Sequence, residues 1–278
     1  MTRRFNLTSA ILLILGCTQI TSANYETRLE TLRGGRFNLV ISEIASGPAD
    51  LSISHLRLDN GFDVLLLEGR NGTTIDGSTT TFRALPTADL IVEGLPFSAD
   101  ASVDLSDIQF VLPDDLIVRH IENVEIEDVI LTGSHADLII ECPFRVAVNQ
   151  SFARDLKIGM DFAARNIDVE NSLFSRNIWV KGRLTNVVNI NVGNDLYVYG
   201  TYGSDTITIE GVRSRNGASP FPPIKVDLGP NNDAVSFRNC RADFIDVHGG
   251  SGSDVTYNKG GNNFSIGAFN TTSIESFK

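Results

Sequence analysis

Short runs of alternating apolar and polar residues recur through the second half of the chain, each opened by Asp or Asn and closed by a polar or glycine turn. Asp155-Leu156-Lys157-Ile158-Gly159, Asn166-Ile167-Asp168-Val169-Glu170, Asn177-Ile178-Trp179-Val180-Lys181-Gly182 and Asp195-Leu196-Tyr197-Val198-Tyr199-Gly200 are four copies. Asp205-Thr206-Ile207-Thr208-Ile209 and Asp233-Ala234-Val235-Ser236-Phe237 carry the unit with its apolar pair displaced by one position. Asp243-Phe244-Ile245-Asp246-Val247 and Asp254-Val255-Thr256-Tyr257 are related to both. A period of two sends one set of side chains inward and the other outward, which predicts strands of four or five residues. The leading apolar residues Leu156, Ile167, Ile178, Val188, Leu196, Ile207, Val226, Val235, Ile245 and Val255 fall 8 to 11 positions apart, except for a gap of 19 before Val226 that reads as one unit hidden by a loop. A looser rhythm continues upstream at Leu90, Leu116, Val124 and Leu138.

Units this short leave no room for a crossover helix, and no series of Asn-Gly turns marks out hairpins. Parallel strands stacked coil upon coil satisfy both constraints, with two or three strands in a coil of roughly 20–22 residues. The expected fold is all-β, a single-stranded parallel β-helix or β-solenoid; a β-sandwich of short strands is the alternative. The pattern resembles the right-handed parallel β-helix repeats of secreted bacterial proteins and the pectate-lyase-like architecture, over about residues 40–270. The resemblance lies in the repeat and extends to no catalytic motif. A stack needs capped ends. Residues 25–33, with Leu29 and Leu32, suit a short amphipathic cap, and Phe264, Ile266, Phe269, Ile274 and Phe277 suit the other end. Residues 70–87, with Asp76, Arg83 and Pro86, and residues 212–225, with Pro220, Pro222 and Pro223, break the rhythm.

The N-terminus changes the picture of where such a stack would work. Arg3 and Arg4, the apolar run Leu7–Leu15 and Thr21-Ser22-Ala23 read as a signal peptide over residues 1–23, leaving 24–278 as the β-helix domain with its end caps. Secretion or a cell-surface location is the expectation. Ile14-Leu15-Gly16-Cys17 offers a lipid anchor on Cys17 as the lesser alternative. No later segment is apolar enough for a transmembrane helix. Net charge is −11, and −13 once residues 1–23 are set aside, which argues against nucleic acid as a partner. Cys142 and Cys240, 98 positions apart, are expected as buried free thiols.

Candidate chemistry is sparse, and no catalytic residue is assigned. Gly249-Gly250-Ser251-Gly252-Ser253-Asp254 resembles the start of the glycine-rich nonapeptide of calcium-binding β-rolls, and Gly203-Ser204-Asp205 fits part of it. That resemblance implies calcium at Asp205, Asp233 and Asp254. The spacing departs from nine residues, however, and one aspartate cannot supply six to eight oxygens; aspartates bonding their own turns are the structural alternative. Asn231-Asn232-Asp233 and His248-Gly249 resemble pieces of the polygalacturonase signature, but the adjacent aspartate pair that family uses is missing, so a polysaccharide lyase or hydrolase stands only as an alternative. Trp179 and Tyr197 sit between inward residues and should project outward together with Tyr199, where aromatic rings can stack on sugars; stacking of side chains on one another along the coil is the structural alternative. Arg213, Arg215 and Lys225 bring three cations around the proline-rich segment of an acidic body, as an anionic ligand or a salt link would require. The expected function is a non-catalytic binding or structural solenoid for an extracellular polysaccharide or cell-surface component.

Overall fold

The computed structural model describes residues 24–45, 47–96, 100–110, 114–214, 223–260, 263–264 and 269–277, and every regular element among them is a β-strand. One coil consists of Leu116–Arg119, Asn123–Glu127 and Ile130–Leu131; the next consists of Leu138–Glu141, Arg145–Asn149 and Phe152–Ala153. Corresponding strands pair in parallel from coil to coil, so three faces run along the stack. The result is a β-solenoid of about seven turns.

On the first face Leu90, Leu116, Leu138, Leu156, Ile178, Leu196, Ile224 and Ile245 stand in one column, and all are fully buried. The spacing of these residues sets coils of 18 to 28 residues, a wider range than the repeat predicts. Corner loops absorb the variation, because a slip of one residue within a strand would turn its apolar set outward.

The second face aligns Val103, Val124, Val146, Ile167, Thr185, Ile207, Val235 and Thr256. Thr185 and Thr256 are fully buried in this aliphatic column. They also correct the repeat phase. Val188 and Val255, which read as leading inward residues, are only half buried, and the interior positions belong to Thr185, Val187 and Thr256. Among the described residues the hydroxyls of Thr185 and Thr256 have no hydrogen-bond partner. Thr185→Val keeps the shape and removes a buried unpaired hydroxyl, so it should stabilise the fold by about 1 kcal/mol. Urea unfolding measures this; a loss of stability would mean that the hydroxyl is satisfied.

The third face is built from two-residue strands such as Leu173–Phe174, Asn191–Val192 and Arg213–Ser214. At the corner leading into it, Asp107, Asp128, Gln150, Asn171, Asn189, Gly211 and Asn239 all have positive φ, between 49° and 68°. Each donates its backbone N–H to a carbonyl of the following coil. Asn189 Nδ2 donates to Asn171 Oδ1 at 3.3 Å, and Asn171 Nδ2 to Asn149 Oδ1 at 3.1 Å. Asn and Asp tolerate the left-handed backbone, which explains their abundance at turns.

Antiparallel pairing is found at the N-terminal end. Asn24–Thr31 pairs with Phe37–Ala45, and Ala49–Arg57 pairs with Asp63–Arg70, which pairs in turn with Thr80–Ala84. The amphipathic cap expected of Leu29 and Leu32 is not formed: they lie 59% and 39% exposed on and beside an edge strand. Tyr25, Leu65, Leu67 and Ile75 close this end instead. The arrhythmic stretch 70–87 belongs to the cap. Asp76, at φ 50°, accepts the Thr27 N–H at 2.9 Å and the Thr27 hydroxyl, and pairs with Arg83. Burial pulls the Asp76 carboxyl upward, but these hydrogen bonds outweigh it and hold the group below its ordinary range.

At the other end Phe269 packs edge-on against Phe237, with ring centroids 5.4 Å apart. Ile274 packs on the core, and Ile266 lies outside the described residues. Cys142 and Cys240 are buried as thiols and are not joined in a disulfide. Among the described residues no helix is long and apolar enough to cross a membrane.

Candidate functional site

Two groups of predicted residues occupy well-defined columns. The aspartates come first. Asp205, Asp233 and Asp254 open successive second-face strands and point into the corner, almost fully buried. Asp233 Oδ1 accepts the N–H of Asp205 at 2.7 Å, and Asp254 Oδ1 accepts the N–H of Asp233 at 3.0 Å. The Asp254 N–H is accepted in turn by Glu275 at 2.5 Å. A matching ladder opens the first-face strands: Asp89 Oδ1 accepts from Asp115, Asp115 Oδ1 from Asp137, and Asp155 Oδ1 from Asn177. Each carboxylate thus caps a donor of the neighbouring coil that the parallel ladder leaves free.

The two ladders differ in countercharge. Arg154 grips Asp137 through two bonds of 2.8 and 2.9 Å, and Lys157 adds a third at 2.9 Å. Among the described residues no Lys or Arg forms an ion pair with Asp205, Asp233 or Asp254, and one carboxylate oxygen each of Asp233 and Asp254 has no hydrogen-bond partner. Burial pushes the Asp233 carboxyl up to about 6; the hydrogen bond from the Asp205 N–H opposes this, and the charges of Asp205 and Asp254 add to it. Burial raises Asp205 and Asp254 as well. Among the described residues no three His, Cys, Asp or Glu side chains converge in an arrangement able to hold a metal ion.

The glycines beside this ladder have a packing role. Gly250 has φ 89°, and a Cβ there would collide with the Gly229 carbonyl oxygen. Gly252, at φ 143°, lies equally close to the Asn231 carbonyl, and Gly249 to that of Ser273. The glycine string lets one corner rest backbone on backbone against its neighbours. The fragments resembling a polygalacturonase signature also separate. Asp233 faces the interior, whereas His248 projects from the outer first face, its Nδ1 3.4 Å from Asp227.

The aromatic residues form the second group, on that outer first face. Register aligns Lys157, Trp179, Tyr197, Lys225 and Asp246 in one outward column. Lys181, Tyr199, Asp227 and His248 fill the next. The Trp179 and Tyr197 rings lie in planes 5° apart with centroids 6.0 Å apart, and Tyr199 lies parallel to Tyr197 at 6.4 Å. Lys157 Nζ is 5.9 Å from the Trp179 ring centre, and Lys225 Nζ is 4.9 Å from that of Tyr197. The Tyr197 hydroxyl donates to Asp195 at 2.6 Å and accepts from Lys225 at 3.3 Å. Its bond to Asp195 raises the Tyr197 phenol, and its bond to Tyr197 raises the Lys225 ammonium. Both groups therefore keep their protons at neutral pH.

Two shallow cavities adjoin this grid. One, of about 230 Å³, lies over Tyr197, Tyr199, Lys225, Asp227, Asp246 and His248. The other, of about 370 Å³, is lined by Met160, Lys181, Tyr199, Tyr202, Asp227 and Pro230, with Tyr202 89% exposed. The structure brings Trp179 and Tyr197 together. Arg213 sits apart on the third face, and Arg215 lies outside the described residues. The repeat reading missed Lys157, Lys181, Asp227, Asp246 and His248. Their signal was present: each is an outward residue of a first-face strand, one or three positions after the leading apolar residue.

The fold and the grid define a three-faced parallel β-solenoid with an aromatic and lysine cluster on one face. Comparison with protein-family models, with curated proteins and with solved structures finds no match in any of the three.

Proposed function

We propose that this protein is an exported, non-catalytic binding module that carries a polysaccharide on its first outer face. The carrying observation is the joining of Trp179, Tyr197 and Tyr199, from two successive coils, into one parallel-ring cluster beside two shallow cavities. Pyranose rings present flat C–H faces to aromatic groups, while Asp227, Asp246, Lys181 and His248 offer donors and acceptors to hydroxyls. The rungs repeat about every 4.8 Å, close to the length of one sugar unit, so a chain lying along the axis meets a regular series of side chains. Export rests on the N-terminal pattern of a charged start, an apolar run and small residues ending at Ala23.

Trp179 is the only tryptophan, so its fluorescence reports directly on this face. Titration with a panel of soluble polysaccharides should shift its emission for at least one member. Trp179→Ala, measured against the parent by isothermal titration calorimetry because the variant lacks the fluorophore, should weaken that binding about fivefold, the loss of roughly 1 kcal/mol of aromatic contact. An unchanged affinity in the variant would remove the ligand from this face. Release of reducing ends or unsaturated products would overturn the non-catalytic assignment.

A further inference from the structure

We infer that the polysaccharide held on this face is anionic, bound through Lys181 and Lys225; the inference rests on the binding reading above and specifies its ligand class. The chain contains five lysines, and three of them, Lys157, Lys181 and Lys225, flank the aromatic cluster in the two outward columns. The sole tryptophan and three of the five tyrosines share the same patch. A body of net charge −13 outside residues 1–23 repels anions at long range, so an anionic chain needs local cations at its contact surface.

The three ammonium groups are not equivalent. Lys157 is committed to Asp137 at 2.9 Å. Lys225 is held over Tyr197 by its 3.3 Å bond to the hydroxyl, fixed in place with protons to spare. Lys181 forms no ion pair or hydrogen bond among the described residues and lies at the edge of the 370 Å³ cavity with Tyr199 and Tyr202. Four carboxylates border the face. Asp137 is taken up by Lys157, and Asp195 accepts from the Tyr197 hydroxyl at 2.6 Å. Toward the far end Asp227 lies 3.4 Å from His248 and Asp246 stands next to Lys225 in register, both left unneutralised by the aromatic cluster. These last two discriminate against anions placed beyond Lys225. They therefore favour a ligand whose charges fall on the Lys157 to Lys225 half of the column, over the aromatic rings.

The test uses one glucan backbone in three forms: neutral, carboxymethylated and sulfated. Binding to the full mature chain is followed by Trp179 emission at low and high salt. A charged form should bind about tenfold more tightly than the neutral parent at low salt, with the preference falling as salt rises. Lys181→Ala should weaken binding of the charged form about fivefold, while Lys259→Ala, an exposed lysine outside the patch, should leave it unchanged. The carboxymethylated and sulfated arms decide which anion is preferred. Equal binding of neutral and charged chains would overturn the inference and leave the binding face standing. Tight charged binding that Lys181→Ala leaves untouched would overturn the site. Binding of none of the three would remove both the inference and the reading beneath it.

Discussion

Gly250→Ala is expected to lower the thermal midpoint by roughly 10 °C, through a loss of about 3 kcal/mol. Two independent costs combine. The residue sits at φ 89°, where a Cβ meets its own backbone, and that Cβ would also strike the Gly229 carbonyl oxygen of the neighbouring coil. The carbonyl cannot move away without disturbing the parallel bridge between Pro230 and Ser251. Gly260→Ala is the matched control. It has a similar φ of 79° with nothing near its Cβ position, so it carries backbone strain alone, about 1 kcal/mol. Thermal unfolding of the two variants side by side measures the difference. Equal midpoints would show that neighbouring corners are not in backbone contact at Gly250.

The second large effect concerns charge in the unneutralised ladder. Asp233 is raised to about 6 from an ordinary value of 3.8, so between about pH 4 and pH 6 the folded state keeps a proton that the unfolded chain has lost. Stability from this group is therefore highest below pH 4 and falls as pH rises through 6, by roughly 2 to 3 kcal/mol in all. Asp233→Asn keeps the Oδ1 acceptor for the Asp205 N–H and removes the buried charge. It should be more stable than the parent at pH 7.5 by about 2 to 3 kcal/mol and nearly equal to it at pH 4. Urea unfolding at the two pH values is the check. A variant destabilised equally at both would mean that the carboxylate is satisfied in its ionised form. Asp76 acts with the opposite sign, since its lowered carboxyl makes the cap weaken as pH falls below the ordinary carboxylate range. The two windows therefore separate.

Much of the stack was legible because its side chains alternate. Leu156, Ile178 and Leu196 predict three consecutive rungs of one face, and the structure places them in one column. The third face escaped because a two-residue strand such as Phe152–Ala153 has no period to detect. The phase of the second face was obscured by Thr185 and Thr256, polar residues in interior positions, with Val188 and Val255 beside them facing out. The N-terminal cap was hidden for a different reason. Asp76 and Arg83 pair with each other and both bond Thr27, 49 and 56 positions away, and no local pattern encodes that meeting.

The site was half legible. Outward projection of Trp179 and Tyr197 follows from alternation, and their adjacency follows from a repeat of 18 residues between them. The partnership with Lys225 did not follow, because the excursion between Tyr199 and Ile224 gives that coil a different length. Lys225 was grouped with Arg213 and Arg215 by nearness in sequence, whereas the coil carries Arg213 to another face. The glycine string at 249–252 carries a clear motif, and its physical reason here is the close approach of neighbouring corners.

Pulsed electron spin resonance between labels on one outward column tests the parallel in-register stack most directly. Ser106, Glu127, Asn149, Glu170, Val188, Glu210 and Arg238 occupy successive rungs of the second face. Labels on introduced cysteines at 127 and 210, 127 and 238, and 106 and 238 span four, five and six rungs, with backbone separations of about 19, 24 and 29 Å. Cys142 and Cys240 are buried, with thiols pushed up to about 11 by burial, so the introduced sites take the label. The account predicts distances that lengthen by one rung at each step. Distances that fail to grow in that order would contradict the stacked coil and every surface built on it.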